Sequence, residues 1–310
     1  MQSVTKSGLL VFGLAVGLGH GLVLDRAASL WQPAVNSTWQ IILSQTLSIS
    51  DTNPSVTPNV DVYDIDMFSH QNTTVVKSLQ KLNKKVICYF SAGSYEPGRP
   101  DSSQFSKSDM GKELDGWPGE YWLNTNSPAI RTIMQKRIQI AAQMGCNAID
   151  PDNVDGFVSL SPLSLPPASY NLYTYSLDLQ QNTNGLGLTA ADSVSFVKFM
   201  ASEAAKLGMS TGLKNAGDII SDVMSSVQFC VNEECAANTE CSTFTPFINN
   251  GKPVYHIEYP AKSHKAVSST ALKAACQASG GTKFSTVVKT LELDNWVEYC
   301  DGSTAETTVA

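Results

Sequence analysis

Short apolar runs punctuate the chain, and polar residues close each of them. The runs are Trp39–Leu43, Val60–Phe68, Val86–Phe90, Asn147–Val154, Thr211–Lys214, Gln228–Asn232, Val254–Glu258 and Phe284–Lys289. Their length and their β-branched and aromatic content predict strands. Helical periods separate several of them. Around Pro128–Met144, the apolar residues Ile130, Ile133, Met134, Ile138 and Ala141 repeat at the 3.6-residue period. Ala191–Leu207 carries Asp192 in its first turn and Gly208 as a stop. Shorter helices are predicted around Thr74–Leu82 and Ser268–Ala278. Two stretches rich in Gly, Pro and polar residues, 91–120 and 159–188, read as long loops. Eight strands separated by helices predict an α/β architecture closed as a single-domain (β/α)8 TIM barrel, in preference to an open sheet.

The polar residues that end the runs form a second pattern. Asp64 and Asp66 close the second run, and Ser91 follows the third. Asp150, Asp152, Asn153 and Asp155 belong to the fourth. Lys214 and Asn215 close the fifth, Glu233 and Glu234 the sixth, Glu258 the seventh and Lys289 the eighth. In a barrel, the C-terminal ends of all strands meet at one mouth, where barrel enzymes carry their chemistry.

Composition narrows the function. The 310 residues hold 21 Lys plus Arg against 28 Asp plus Glu, a net charge of −7. With no basic tract, a nucleic-acid partner is not expected. A neutral or cationic ligand is favoured instead. Only 16% of residues are charged while Ser, Thr and Asn abound, which fits a secreted chain. At the N-terminus, Lys6 precedes the apolar stretch Leu9–Leu18, and small residues follow. That is the layout of a cleaved signal peptide, placed at 1–21, with a retained N-terminal membrane anchor as the alternative. Residues 22–37 then read as a linker, 38–302 as the TIM-barrel domain and 303–310 as a tail. The sequons at Asn36 and Asn72 point the same way. Seven cysteines are expected mostly to pair in an oxidising compartment. Cys235 with Cys241 and Cys276 with Cys300 are the near pairs. Cys88 and Cys146 either pair or stay as buried thiols, and Cys230 is left over. Their spacing matches no zinc module, so neither a metal nor an organic cofactor is expected. No stable membrane partner is expected, and a monomer is.

Several carboxylates around one cleft repel one another, and burial adds to the effect, so some are held protonated while others stay ionised. A pair split in this way supplies the acid and the nucleophile, or the acid and the base, of glycoside cleavage. The four histidines form no pair at metal spacing, and neither G-x-S-x-G nor a phosphate-binding glycine loop is present. A calcium loop at Asp150–Asp155 lacks the Gly and Glu that an EF-hand requires.

The segments VDVYDIDMF, KVICYFSAGSYEPGRPD, LDGWPGEYWLN, GCNAIDPDNVDGF, GLKNAG, VNEECAANTEC, PVYHIEY and FSTVVKTLELDNWVEYC occur in order over nearly the whole mature chain. In these the chain resembles glycoside hydrolase family 114, the endo-α-1,4-polygalactosaminidases, of the fungal secreted type. The resemblance implies a TIM barrel and retaining hydrolysis of α-1,4-linked galactosamine in galactosaminogalactan, with an Asp nucleophile and a Glu acid/base. Carried onto this sequence, the nucleophile falls within Ile149–Asp155. Asp152 is favoured because it lies nearer the rim, with Asp150 and Asp155 as alternatives. The acid/base falls on Glu233. The family usually carries Gln where Glu234 stands and a small residue where Cys230 stands. Candidate substrate-binding residues are Asp64, Asp66, Tyr89, Ser91, Glu96, Asp150, Asp155, Lys214, Asn215 and Glu258. Trp117, Tyr121 and Trp122 either stack on sugar rings or pack their loop onto the barrel. Arg99 and Arg131 are expected in internal salt bridges. Two rival readings stay open: another α-glycosidase specificity on the same barrel, and a non-catalytic carbohydrate-binding protein of the cell wall.

Overall fold

The computed structural model describes residues 30–157 and 184–310. The expected signal or anchor segment and most of the loop expected over 159–188 lie outside the described residues. Thirteen strands are described: β1 (Trp39–Ile42), β2 (Val62–Asp66), β3 (Lys85–Ser91), β4 (Ser94–Tyr95), β5 (Met110–Glu113), β6 (Tyr121–Leu123), β7 (Ala148–Asp152), β8 (Ser210–Lys214), β9 (Phe229–Glu233), β10 (Val254–Glu258), β11 (Ser285–Val288), β12 (Trp296–Tyr299) and β13 (Thr304–Glu306). Neighbours run in the order β1-β2-β3-β7-β8-β9-β10-β11, and every pair in that series is parallel. These are the eight staves expected of the (β/α)8 barrel.

Alternation along each strand sorts side chains into two cores. Trp39, Ile41, Val62, Ile87, Phe229 and Tyr255 fill the inside of the barrel. Ile65, Val86, Phe90, Ile149, Leu213 and Val254 face out and pack under the helices. Each such side chain contributes about 1.5–3 kcal/mol by leaving water. Space inside is tight at Gly212, where a Cβ would stand 2.4 Å from the Phe229 ring.

The principal helices form where the periodicity places them. The helix Pro128–Met144 starts on a proline and stops at Gly145, whose φ of 92° is left-handed. The helix Ala190–Lys206 starts with a capping box in which Asp192 and Thr189 bond reciprocally. Asp66 ends β2 earlier than the apolar run suggests. Its carboxylate accepts from Ser69 N at 2.8 Å and begins the helical turn Met67–His70.

Three regions depart from expectation. The stretch 91–120 is no plain loop, because β4 and β5 flank β6 in a small antiparallel sheet beside the mouth. The end of the chain is no loose tail: β13 pairs with β12, and Val309 bridges to Leu47. Lys289 does not face the mouth. It is fully buried and donates to Gln40 Oε1, the Asp294 carbonyl and the Trp296 carbonyl. It thereby closes the seam between β11 and β1, where Trp39 Nε1 also reaches the Ser285 carbonyl at 2.7 Å.

Both expected near pairs of cysteines are bridged, and Cys88 pairs with Cys146 across 58 residues. Closing a loop of that length contributes about 4 kcal/mol in the chain-entropy account. Cys230 is free and buried. Among the described residues, no helix is long and apolar enough to cross a membrane.

Candidate active site

The inward face of the barrel changes character near its C-terminal rim. Below lie the apolar side chains of the inner core. Above them, Ser91, Asp152, Lys214, Glu233 and Tyr259 open into a cleft of ≈ 310 Å³. The β3–β7 register sets Ser91 beside Asp152, and the β8–β9 register sets Lys214 beside Val231, one pleat below Glu233.

Asp152 is gripped from three directions. Tyr89 donates its hydroxyl to Oδ2 at 2.7 Å. Asn153 N donates to Oδ1 at 2.7 Å. The Lys214 ammonium stands 3.2 Å from Oδ1. Asn153 adopts a left-handed φ of 60°, a conformation that Asn tolerates well, and this turns its N–H back onto the carboxylate. The turn can form because Gly93 lies behind it. A Cβ there would sit 1.6 Å from the Asn153 carbonyl oxygen.

Glu233 is held as firmly. Lys214 Nζ lies 2.9 Å from Oε2, Asn215 Nδ2 donates to Oε2 at 3.1 Å, and the Tyr259 hydroxyl donates to Oε1. The Asn215 side chain also accepts from Glu233 N at 2.9 Å, which locks the two strand ends together. Burial alone would raise the Glu233 carboxyl, but Lys214 and then the Tyr259, Lys214 and Asn215 hydrogen bonds prevail and bring it below its ordinary value. Lys214 is buried, which disfavours its charge, yet the adjacent Asp152, Glu233 and Asp150 push its pKa well above the usual lysine value. It is the shared cation of the site.

One layer down, Asp64 and Asp150 are both fully buried. Burial first, and then the charge of Asp150, raises Asp64 well above the carboxylate range. Burial likewise lifts Asp150 to about 7, against the pull of Lys214. Asp155 does reach the cleft, where burial and then Asp152 raise it to about 6.

Of the ten expected substrate-binding residues, Tyr89, Ser91, Glu96, Asp155, Lys214 and Asn215 line the cleft. The other four do not. Asp64 and Asp150 lie beneath it. Asp66 is spent on its helix cap and on Arg99, 2.8 Å away. Glu258 faces away from the barrel interior, accepting from Ala236 N at 2.7 Å and contacting His256 Nε2 at 2.8 Å. It steadies the turn after Glu233 instead of meeting a ligand. Arg99 is ion-paired as expected, with Glu96 and Asp66. Arg131 is not: it donates to the Thr125 carbonyl and the Ser195 hydroxyl and lies over the Phe199 ring. Trp117 is 54% exposed at the cleft edge. Trp122 instead packs on Gly156, and Tyr121 leans on Tyr95. Glu234 is exposed, with a left-handed φ of 59°.

Tyr259 and Glu120 are among the cleft residues that went unmarked in the sequence. Alternation from Tyr255 and Ile257 puts Tyr259 inside, and the same count puts Glu258 outside. No comparable signal exists for Glu120, which sits in a turn.

Beyond Glu233 the cleft continues into a second hollow of ≈ 590 Å³. Asp155, Asn215, Glu233, Tyr259, Trp117 and Leu291 line both spaces, and Asp218, Glu234 and Glu240 line the second alone. Among the described residues, the one Cys/His cluster tight enough for a metal is Cys235, Cys241 and His256. Its two sulfurs are already joined in a disulfide.

The glycoside-hydrolase family GH114 model matches residues 23–305. Among solved structures, the chain is similar to the crystal structure of Aspergillus fumigatus Ega3 in complex with galactosamine. The two share 45% identity over 87% of this chain and 97% of that one, with a TM-score of 0.73. The glycoside hydrolase domain of PelA from Pseudomonas aeruginosa is 12% identical over 83% of this chain and 96% of its own, with a TM-score of 0.56. That likeness concerns the fold. No curated protein sequence matches the chain.

Proposed function

The chain belongs to glycoside hydrolase family GH114, and for this glycoside hydrolase we propose endo-hydrolysis of α-1,4-linked galactosamine in galactosaminogalactan with retention of configuration. Asp152 serves as nucleophile and Glu233 as acid/base. The galactosamine bound to Ega3 and the excess of carboxylates around this cleft support the substrate.

One observation carries the mechanism. Asp152 Oδ1 and Glu233 Oε2 touch the same ammonium nitrogen at 3.2 and 2.9 Å. Those two oxygens are therefore no more than about 6 Å apart. Retention works with the two carboxyl groups near 5–5.5 Å and inversion with roughly 6.5–9.5 Å to admit a water, so two carboxylates drawn onto one ammonium favour retention. Asp152 is preferred to Asp150 because it meets the cleft and receives three donors that stabilise an anion.

Glu233 protonates the glycosidic oxygen as Asp152 bonds to the anomeric carbon. Glu233, now a base, takes a proton from the water that breaks the ester. In the empty cleft Glu233 is held ionised, so it must gain a proton as the sugar enters. A shift of Lys214 toward Asp152 would permit this, because burial then raises the Glu233 carboxyl unopposed by that cation.

Export is part of the reading. The apolar N-terminal stretch, three disulfides and the exposed asparagines of both sequons support it.

Digestion of deacetylated polygalactosamine, followed by NMR of the first-formed products, tests the reaction. Initial release of the α-anomer is expected, and initial β-anomer would overturn the retaining assignment. Glu233→Gln is expected to lose about 10²–10⁴ in rate on the polymer.

A further inference from the structure

Charge accounting within the cleft sets Glu120 apart: it is half-buried, lines the first cavity alone and has no cation against it, whereas Glu292 is exposed and Asp155 is shared with the second hollow. Two cations line this space, Lys214 and Arg99. Lys214 is divided between Asp152 and Glu233. Arg99 grips Glu96 through Nε at 3.0 Å and Nη2 at 2.7 Å, and its Nη1 reaches Asp66 at 2.8 Å. Glu120 lines the same cavity, half-buried, and among the described residues no ion pair is made to it. Its backbone is fixed by a tight turn: Glu120 N donates to the Trp117 carbonyl, and its own carbonyl accepts from Leu114 N. The groups that act on its carboxyl are Glu96, Asp152, Arg99 and the Ser94 hydroxyl. Burial first, and then the charges of Glu96 and Asp152, raise it to about 7.

Location assigns the half of the substrate that it meets. Glu233 stands where the second hollow opens, so the leaving chain lies on that side. Glu120 lines only the first cavity, which holds the glycone.

We propose that Glu120 reads the charge of the substrate: its carboxylate receives the ammonium group of the glycone galactosamine and sets the preference for free amine over acetamide. The inference rests on the polygalactosaminidase reading and names the residue that gives it selectivity. An ammonium supplies the cation that the protein withholds from Glu120. A neutral acetamide supplies none and leaves a half-buried charge without an ion pair. Linkage fixes the pH behaviour. A bound ammonium favours the ionised carboxylate, so below about pH 7 binding expels a proton from Glu120. Affinity for the amine therefore rises as pH climbs toward neutrality.

The test compares wild type with Glu120→Gln on fully deacetylated polygalactosamine and on the same polymer re-N-acetylated. KM for the deacetylated polymer is expected to rise at least about tenfold with kcat little changed. The selectivity ratio should collapse by a similar factor, and the pH dependence of KM below neutrality should flatten. Titration of galactosamine and of galactose onto Asp152→Asn, with and without Glu120→Gln, repeats the test without turnover. There the preference for galactosamine should vanish with Glu120. An active wild type with unchanged KM and selectivity in Glu120→Gln overturns this assignment alone. A wild type inert on polygalactosamine overturns the substrate reading and this assignment with it.

Discussion

Asp150 and Asp152 stand two residues apart on one strand and share one face, yet the fold makes opposite groups of them. Asp152 is at the rim, with a hydroxyl, a backbone N–H and an ammonium aimed at it. Asp150 is one pleat deeper, fully buried, and raised to about 7. A single step in depth decides whether a carboxylate meets donors at the cleft or is sealed beneath it and keeps its proton to about pH 7. The difference lies in what surrounds each group, because the residue type is identical.

The largest effect expected from disturbing this contrast is at the rim. Asp152→Asn should cost at least about 10⁴-fold in kcat on polygalactosamine, measured on protein whose circular dichroism matches wild type. Next comes Lys214→Met, which leaves two carboxylates facing each other without their cation. A loss of about 10²-fold or more is expected. Like-charge repulsion would also move the acidic limb of kcat/KM to higher pH, which a pH–rate profile reads.

Asp150→Asn should touch activity far less and act on stability instead. In the folded chain Asp150 keeps its proton up to about pH 7, whereas unfolded it titrates near 4. The native state thus binds more protons across that window, and wild type loses stability as pH rises through it. Thermal melts should show the Asn variant gaining on wild type from pH 4 to pH 7.5. A difference independent of pH would break the contrast between the two aspartates. Smallest of all, Trp117→Ala should raise KM for the polymer roughly 2–10-fold through lost ring stacking, with kcat unchanged.

Much of this arrangement was legible in the residues. Runs of strand length set the eight staves, and strand-end polarity marks Asp152, Lys214 and Glu233. What failed did so for identifiable reasons. Glu258 and Asp66 end their strands just as Glu233 does, but ending a strand does not fix which way a side chain points. At Glu258 the alternation through Ile257 sends it outward. At Asp66 a helix begins on the strand's last residue and takes up the carboxylate. The sheet formed by β4, β5 and β6 has strands too short to register as apolar runs. Lys289 shows the limit most plainly. It ends an apolar run like the other candidates, but its three acceptors come from β1 and from the chain after β11, and only the closed barrel brings those together.

The bridge between Cys235 and Cys241 ties off the turn that begins immediately after Glu233, and Glu258 holds that turn from below. Such a tie is made only where thiols are oxidised. The seating of Glu233 is therefore tied to the redox state of its surroundings. A copy with these thiols reduced would keep its barrel but lose one of the two ties that hold this turn.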